Sequence, residues 1–112
     1  MSKATKAAKE TTTTTQNAFK ECACSGIHYD YSCRVYPGNA KTFGKVTSIP
    51  CSLTIDDLIT IKGCHYKCTD KNKWLEFPEY KTGEEYKSYI YIAEGMNEDM
   101  QTIANAITNL QL

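Results

Sequence analysis

The chain has no long apolar run. No stretch approaches the roughly 20 apolar residues that a membrane-spanning helix needs, so no membrane partner is expected. Neither sign of charge dominates: 13 Lys and Arg stand against 13 Asp and Glu over 112 residues. A balanced chain has no global field to draw it to nucleic acid, so any such binding must come from a local patch. The opening "MSKATKAAKE" is basic but holds no apolar h-region, so the expectation is a chain without a secretory signal that stays in the cytoplasm. Phosphate-cradling glycine loops, nucleophile elbows and paired-carboxylate motifs are missing too. Enzymatic activity is therefore the least supported class, and no catalytic residue is assigned.

Cysteine is the one chemically loaded residue in supply, with six in the chain. In a reducing compartment six thiols read as free core residues, metal ligands or redox groups before they read as disulfides. The stretch "GCHYKC" (63–68) looks most like half of a metal site. Read as a strand, it puts Cys64, Tyr66 and Cys68 on one face and His65 and Lys67 on the other. Cys64 and Cys68 then lie roughly 13 Å apart. That is too far for a disulfide, which needs α-carbons within about 7 Å, and too far for one tetrahedral zinc with bonds of about 2.3 Å. The stretch reads as structural. The other group, "CACSGIHYDYSC", holds Cys22, Cys24, His28 and Cys33. Its C-x-C spacing departs from the usual C-x₂-C knuckle, so core thiols outrank a zinc site there, although these four are where a metal would be sought. Cys51 reads as a small core residue. No cofactor is expected.

Residues 1–20 carry four lysines, one glutamate and five consecutive threonines. Such a segment buries too little apolar surface to offset its ordering entropy and reads as a flexible tail, with a short helix around Gln16–Cys24 as the alternative. Residues 21–112 read as a single domain. "IHYDYSCRVY" alternates over ten residues, which is a strand pattern, and "PGN" (37–39) is turn chemistry. Further strands follow: 45–55 with Pro50 at an edge or bulge, 58–61 continuing past a Lys62–Gly63 turn or bulge into 64–68, then 73–77 and 86–92. "EYKTGEE" (79–85) reads as a polar loop, and Asp56–Asp57 as a turn. After Gly95 the period changes to that of a helix, with Asn97 as N-cap, Glu98 and Asp99 in the first turn, and a stripe of Met100, Ile103, Ile107 and Leu110. Strands first and one amphipathic helix last predict an α+β fold with a small antiparallel sheet.

The order of these signals resembles the SpoVG family of small bacterial regulators. The matching residues are Gly44–Lys45, Ile55–Asp56–Asp57, Gly63, then Trp74–Leu75–Glu76–Phe77–Pro78, and finally Lys81 to Lys87 through Gly83 and Tyr86. The likeness covers roughly residues 33–93 and is densest over 55–90. It implies a homodimer built by strand pairing that binds DNA or RNA without catalysis, through basic residues just after the strand ending in proline. Lys81 matches a basic position, whereas Tyr80 stands where another base is expected and Glu79 adds a negative charge. The expected contacts are Lys81 and Lys87, helped by Tyr80, Lys71 and Lys73. Lysines interleaved with aromatics can grip single strands by phosphate contact and stacking. The competing reading puts the aromatics in the core and a dimer seam, where such side chains are usually found.

Two function classes stand beside each other. One is a homodimeric nucleic-acid-binding regulator. The other is a protein-binding module on the same fold, such as a mobile-element regulator or an inhibitor of a host enzyme, in which the nucleic-acid surface has eroded. A small zinc or redox protein ranks third.

Overall fold

The computed structural model describes residues 18–112. The expected tail therefore lies outside the described residues as far as residue 17. Its last position does not: Lys20 opens the first strand, and Lys20–Ser25 is extended rather than helical. The strands are β1 (Lys20–Ser25), β2 (Asp30–Val35), β3 (Lys41–Phe43), β4 (Val46–Ile55), β5 (Ile59–Cys68), β6 (Lys73–Glu76), β7 (Glu79–Thr82) and β8 (Glu85–Ser88), followed by helix α1 (Asn97–Thr108). They form a curled antiparallel sheet in the order β1-β2-β4-β5-β6, with β3 on β4, and a separate β7–β8 hairpin. This is the α+β architecture expected from strands first and helix last.

Turn chemistry sets the register. Asp56 and Asp57 both have positive φ, 53° and 57°, and the Leu58 N–H donates to the Ile55 carbonyl at 2.8 Å. Two left-handed central residues match the twist of the flanking strands in a tight hairpin. The pair is a turn, as its sequence suggests. One strand later, Cys51 pairs with Cys64 but Leu53 pairs with Ile61, so β5 carries one extra residue. Gly63, at φ 86°, absorbs that bulge.

Pro50 stands inside β4, a central strand, without breaking the sheet. Beside it β4 changes neighbours: β3 pairs with Val46–Ser48 and β2 with Cys51–Ile55. The Pro50 carbonyl accepts from the Tyr36 N–H at 2.9 Å on that side. In an antiparallel ladder a residue's N–H and C=O point to the same neighbour. The missing proline N–H therefore faces this gap, and the ladder to β5 loses nothing.

Alternation places all six cysteines on the face that α1 covers. Val35, Leu53, Cys64, Ile103 and Ile107 are fully buried there, with Cys33, Cys51 and Tyr66 nearly so. Met100 and Leu110 pack at the margin. Burying one aliphatic side chain contributes about 1.5–3 kcal/mol, so the Ile103–Ile107 stripe is what holds the helix on the sheet. The Tyr66 hydroxyl meets the Thr108 hydroxyl at 2.7 Å, and Thr108 donates to the Ala104 carbonyl at 2.9 Å, which satisfies the polar atoms at that end.

Four expected boundaries differ. The first alternating run begins at Asp30, because the Gly26 N–H donates to the Tyr29 carbonyl and closes a loop, leaving Ile27 67% exposed. Residues 79–85 are not a loop: they contain β7 and a two-residue turn at Gly83, where φ is 66°. The last strand stops at Ser88 rather than 92. Asn97 is already helical; the N-cap is Met96, which ends a short 3₁₀ turn over Glu94–Met96.

Candidate functional site

Two sites emerge, one on each face of the sheet. On the helix side, Asp99 is completely buried. It accepts the Ile27 N–H at 2.7 Å, the His28 N–H at 3.1 Å and the Tyr31 hydroxyl at 2.6 Å. Burial pushes its carboxyl up, but these three donors outweigh it and hold the pKa at about 2. The same burial and the Asp99 carboxylate raise Tyr31 well above its ordinary value. Gly26 lets the loop approach. A β-carbon there would sit 2.5 Å from the Asp99 carboxylate and 2.8 Å from the Tyr31 ring. The carboxylate has no free lone pair aimed at solvent, so this is a clasp between the β1–β2 loop and α1, not an acid–base centre.

His28 belongs to that clasp and not to the thiols. Its Nδ1 lies 3.6 Å from Asp99 Oδ2. Cys22 faces Cys33 across β1–β2, and Cys24 faces Tyr31. Among the described residues, no three His, Cys, Asp or Glu side chains gather in a way that could hold a metal.

The opposite face carries no α-helix among the described residues. Its rows are Ser32 and Arg34 on β2, Ser52 and Thr54 on β4, Thr60 and Lys62 on β5, continued by His65 and Lys67. These side chains line shallow grooves together with Tyr36, Phe43 and Tyr86. Some charge is internally paired. Lys67 Nζ meets Glu76 Oε1 at 2.8 Å, and the Trp74 indole donates to the other Glu76 oxygen at 3.1 Å. Burial pushes the Glu76 carboxyl up, but those two donors carry it below its ordinary value. Arg34 reaches Glu21 at 3.5 Å and lies over the Phe19 ring at 4.6 Å. Lys41 and Lys62 make no ion pair among the described residues. Phe43 and Tyr86 are 61% and 67% exposed.

The five residues expected to bind nucleic acid do not converge. Lys81 pairs with Tyr86 across the β7–β8 hairpin, its Nζ 5.8 Å from the ring centre, and Tyr86 faces the groove of the open sheet face. Tyr80 and Lys87 pair with each other, so alternation turns them to the other side of the hairpin, where Tyr80 packs on Tyr89 at 4.8 Å. Lys71 lies in the β5–β6 turn. Lys73 opens β6 opposite Cys68, in register with the helix-side row. Arg34, Lys41 and Lys62 lie on the open face instead, outside the basic loop to which the resemblance points. The signal was present in the alternation of β2, which already puts Ser32, Arg34 and Tyr36 opposite the cysteines.

No family model, no curated protein and no solved structure matches the chain. No helix among the described residues is long and apolar enough to cross a membrane.

Proposed function

We propose that the chain is a non-enzymatic regulator of SpoVG-like type that works as a homodimer and lays single-stranded nucleic acid across the helix-free face of its sheet. The observation that carries this reading is the composition of that face. Arg34 and Lys62 line one groove with the Ser32, Ser52, Thr54 and Thr60 hydroxyls, Lys41 lines a second with exposed Phe43, and Phe43 shares a third with exposed Tyr86. Cations track the backbone and aromatic rings stack bases without reading sequence, while hydroxyls supply further phosphate contacts. Lys81 joins the strip through Tyr86. Lys87, Tyr80, Lys71 and Lys73 stand outside it.

Fluorescence anisotropy with a labelled oligothymidylate and its RNA counterpart, titrated with salt, tests the proposal. Binding at low salt is expected, with log affinity falling against log salt by about 0.7 per phosphate contact. Lys62→Glu and Lys41→Glu are each expected to weaken binding and flatten that slope. Absence of binding at low salt sinks the reading, and so does indifference to both charge reversals. Light scattering tests the homodimer.

One observation favours the protein-binding alternative. Tyr89 and Tyr91 are 66% and 79% exposed, and Tyr80 is 39% exposed. Tyrosine is a common anchor at protein interfaces, and Tyr80 with Tyr89 packed on it lies on the hairpin side that the nucleic-acid strip does not use. If Tyr91→Ala and Tyr89→Ala abolish function while oligonucleotide binding is unchanged, the partner is a protein.

A further inference from the structure

The sheet holds two directly opposed cysteine pairs, Cys22 with Cys33 and Cys51 with Cys64. Opposed α-carbons in an antiparallel ladder are about 4.5–5.5 Å apart, within the roughly 4.4–6.8 Å that a disulfide spans. Register therefore suits both pairs to bond formation. Access does not. Cys51 and Cys64 are 4% and 0% exposed between two interior strands. Cys33 is buried as well, but its partner Cys22 is part-exposed on β1, the edge strand.

We propose that Cys22 and Cys33 form a redox-modifiable thiol pair that accepts low-molecular-weight disulfides of the glutathione class and closes to an intramolecular disulfide. The Cys22 thiolate attacks one sulfur of glutathione disulfide. That S–S bond breaks, and the departing glutathione takes up a proton. Cys33 then gives its proton to the medium and attacks the Cys22 sulfur, expelling the second glutathione. Two protein thiols lose two electrons in all, and one glutathione disulfide becomes two thiols.

The surroundings divide the roles in the same sense. Hydrogen bonding from the Cys33 thiol lowers the Cys22 thiol; burial and the Glu21 charge oppose this, and the Cys33 backbone assists it. Cys33 is raised, first by that same hydrogen bond and then by its burial and the Cys22 charge. Once Cys22 is in a mixed disulfide its sulfur no longer holds the Cys33 proton as a thiolate, so the hydrogen bond that raises Cys33 most is lost together with the Cys22 charge. Burial alone pushes Cys64 up to about 11, and burial with the Cys64 charge pushes Cys51 up to about 12. Cys24 is raised by burial and three neighbouring charges, and it faces Tyr31 rather than a thiol. In a reducing compartment, protein disulfides are typically transient and redox-sensing. This one would pin edge strand β1 to the sheet.

The full-length folded protein is incubated with glutathione disulfide, alkylated, and mapped by mass spectrometry of unreduced peptides. The expected dominant product is a Cys22–Cys33 link, with Cys51 and Cys64 recovered as free thiols after unfolding. Without oxidant, iodoacetamide is expected to label Cys22 about tenfold or more faster than Cys51 or Cys64. Cys33→Ser is expected to stop at a glutathione adduct on Cys22, and Cys24→Ser to close as the wild type does. Cys22 staying reduced, keeping glutathione beside a free Cys33, or linking to Cys24 in the wild type overturns the proposal. The wild-type map decides the matter even if Cys33→Ser does not fold.

Discussion

The same strands build two unlike surfaces. Toward α1 they present Cys33, Val35, Cys51, Leu53 and Cys64, all buried. Away from it they present Ser32, Arg34, Ser52, Thr54 and Lys62, all at least partly exposed. A period of two separates the sets, shifted by one residue at the Gly63 bulge between Lys62 and Cys64. Sulfur here is mostly packing material for the thin space between a sheet and a short helix. It becomes reactive only at the edge, where Cys22 meets solvent. Stability resides on the covered face and the proposed recognition on the open one, and the comparison can be broken by mutations that affect only one of them.

The largest effect is expected at Gly26. A methyl group there meets the Asp99 carboxylate at 2.5 Å and the Tyr31 ring at 2.8 Å, atoms held by three hydrogen bonds and a packed helix. Gly26→Ala is expected to destabilise by about 3 kcal/mol through overpacking, read as a lower urea midpoint at unchanged slope. A midpoint equal to that of the wild type would show that the clasp is loose.

Acid should reach the covered face next. The Asp99 carboxyl has a folded pKa of about 2 against an ordinary value of 3.8. A depressed carboxyl contributes stability that is fully present above its unfolded pKa and lost as pH falls toward the folded one. The wild type should therefore lose this contribution between about pH 4 and pH 2. Asp99→Asn should flatten the acid limb in that window, with thermal midpoints across pH as the measurement. An unchanged limb would mean the clasp carries no charge-dependent stability.

A third measurement separates interior sulfur from edge sulfur. Cys64→Ser places a hydroxyl where the surroundings are apolar, apart from the Ile61 carbonyl 3.7 Å from the sulfur. The expected cost is about 2 kcal/mol. Cys22→Ser, at the part-exposed edge, is expected to stay within about 0.5 kcal/mol. Equal costs in chemical denaturation would erase the distinction between the two pairs.

Much of the covered face was legible in advance, because its signals are local and periodic. The inward row of Cys64, Tyr66 and Cys68, the Gly63 bulge, the Asp56–Asp57 turn and the Ile103–Ile107 stripe all follow from spacing within a few residues. Asp99 stands in the first helical turn, as its position suggests, but its burial is not legible locally: residues 99, 103 and 107 share one helical stripe, and an acid in an apolar stripe needs donors. Those donors come from Ile27, His28 and Tyr31, about 70 residues away, and no local pattern connects them. Strand β7 was hidden by polarity, since a four-residue strand without a buried face shows no apolar alternation. The open face was half visible: β2 displayed Arg34, but which strands stand beside it is a matter of topology. The likeness to SpoVG regulators pointed to the basic loop, and alternation across a two-stranded hairpin divides that loop between opposite sides.

The smallest expected effect on stability belongs to Lys62→Glu, and it is the sharpest test of the comparison. Lys62 is exposed and makes no ion pair among the described residues. Its loss removes no buried contact, so the urea midpoint should move by no more than about 0.5 kcal/mol. On the open face, however, it lines one groove together with Thr60 and Arg34. If the proposed strip holds nucleic acid, reversing its charge both deletes a phosphate contact and adds a repulsion, so oligonucleotide affinity should fall about tenfold at low salt, with a shallower salt slope. Gly26→Ala makes the opposite pattern: large in urea, and absent from binding wherever the protein remains folded. A Lys62→Glu protein that unfolds early would make the open face structural. One that binds undiminished would leave Tyr89 and Tyr91 as the stronger claim to recognition.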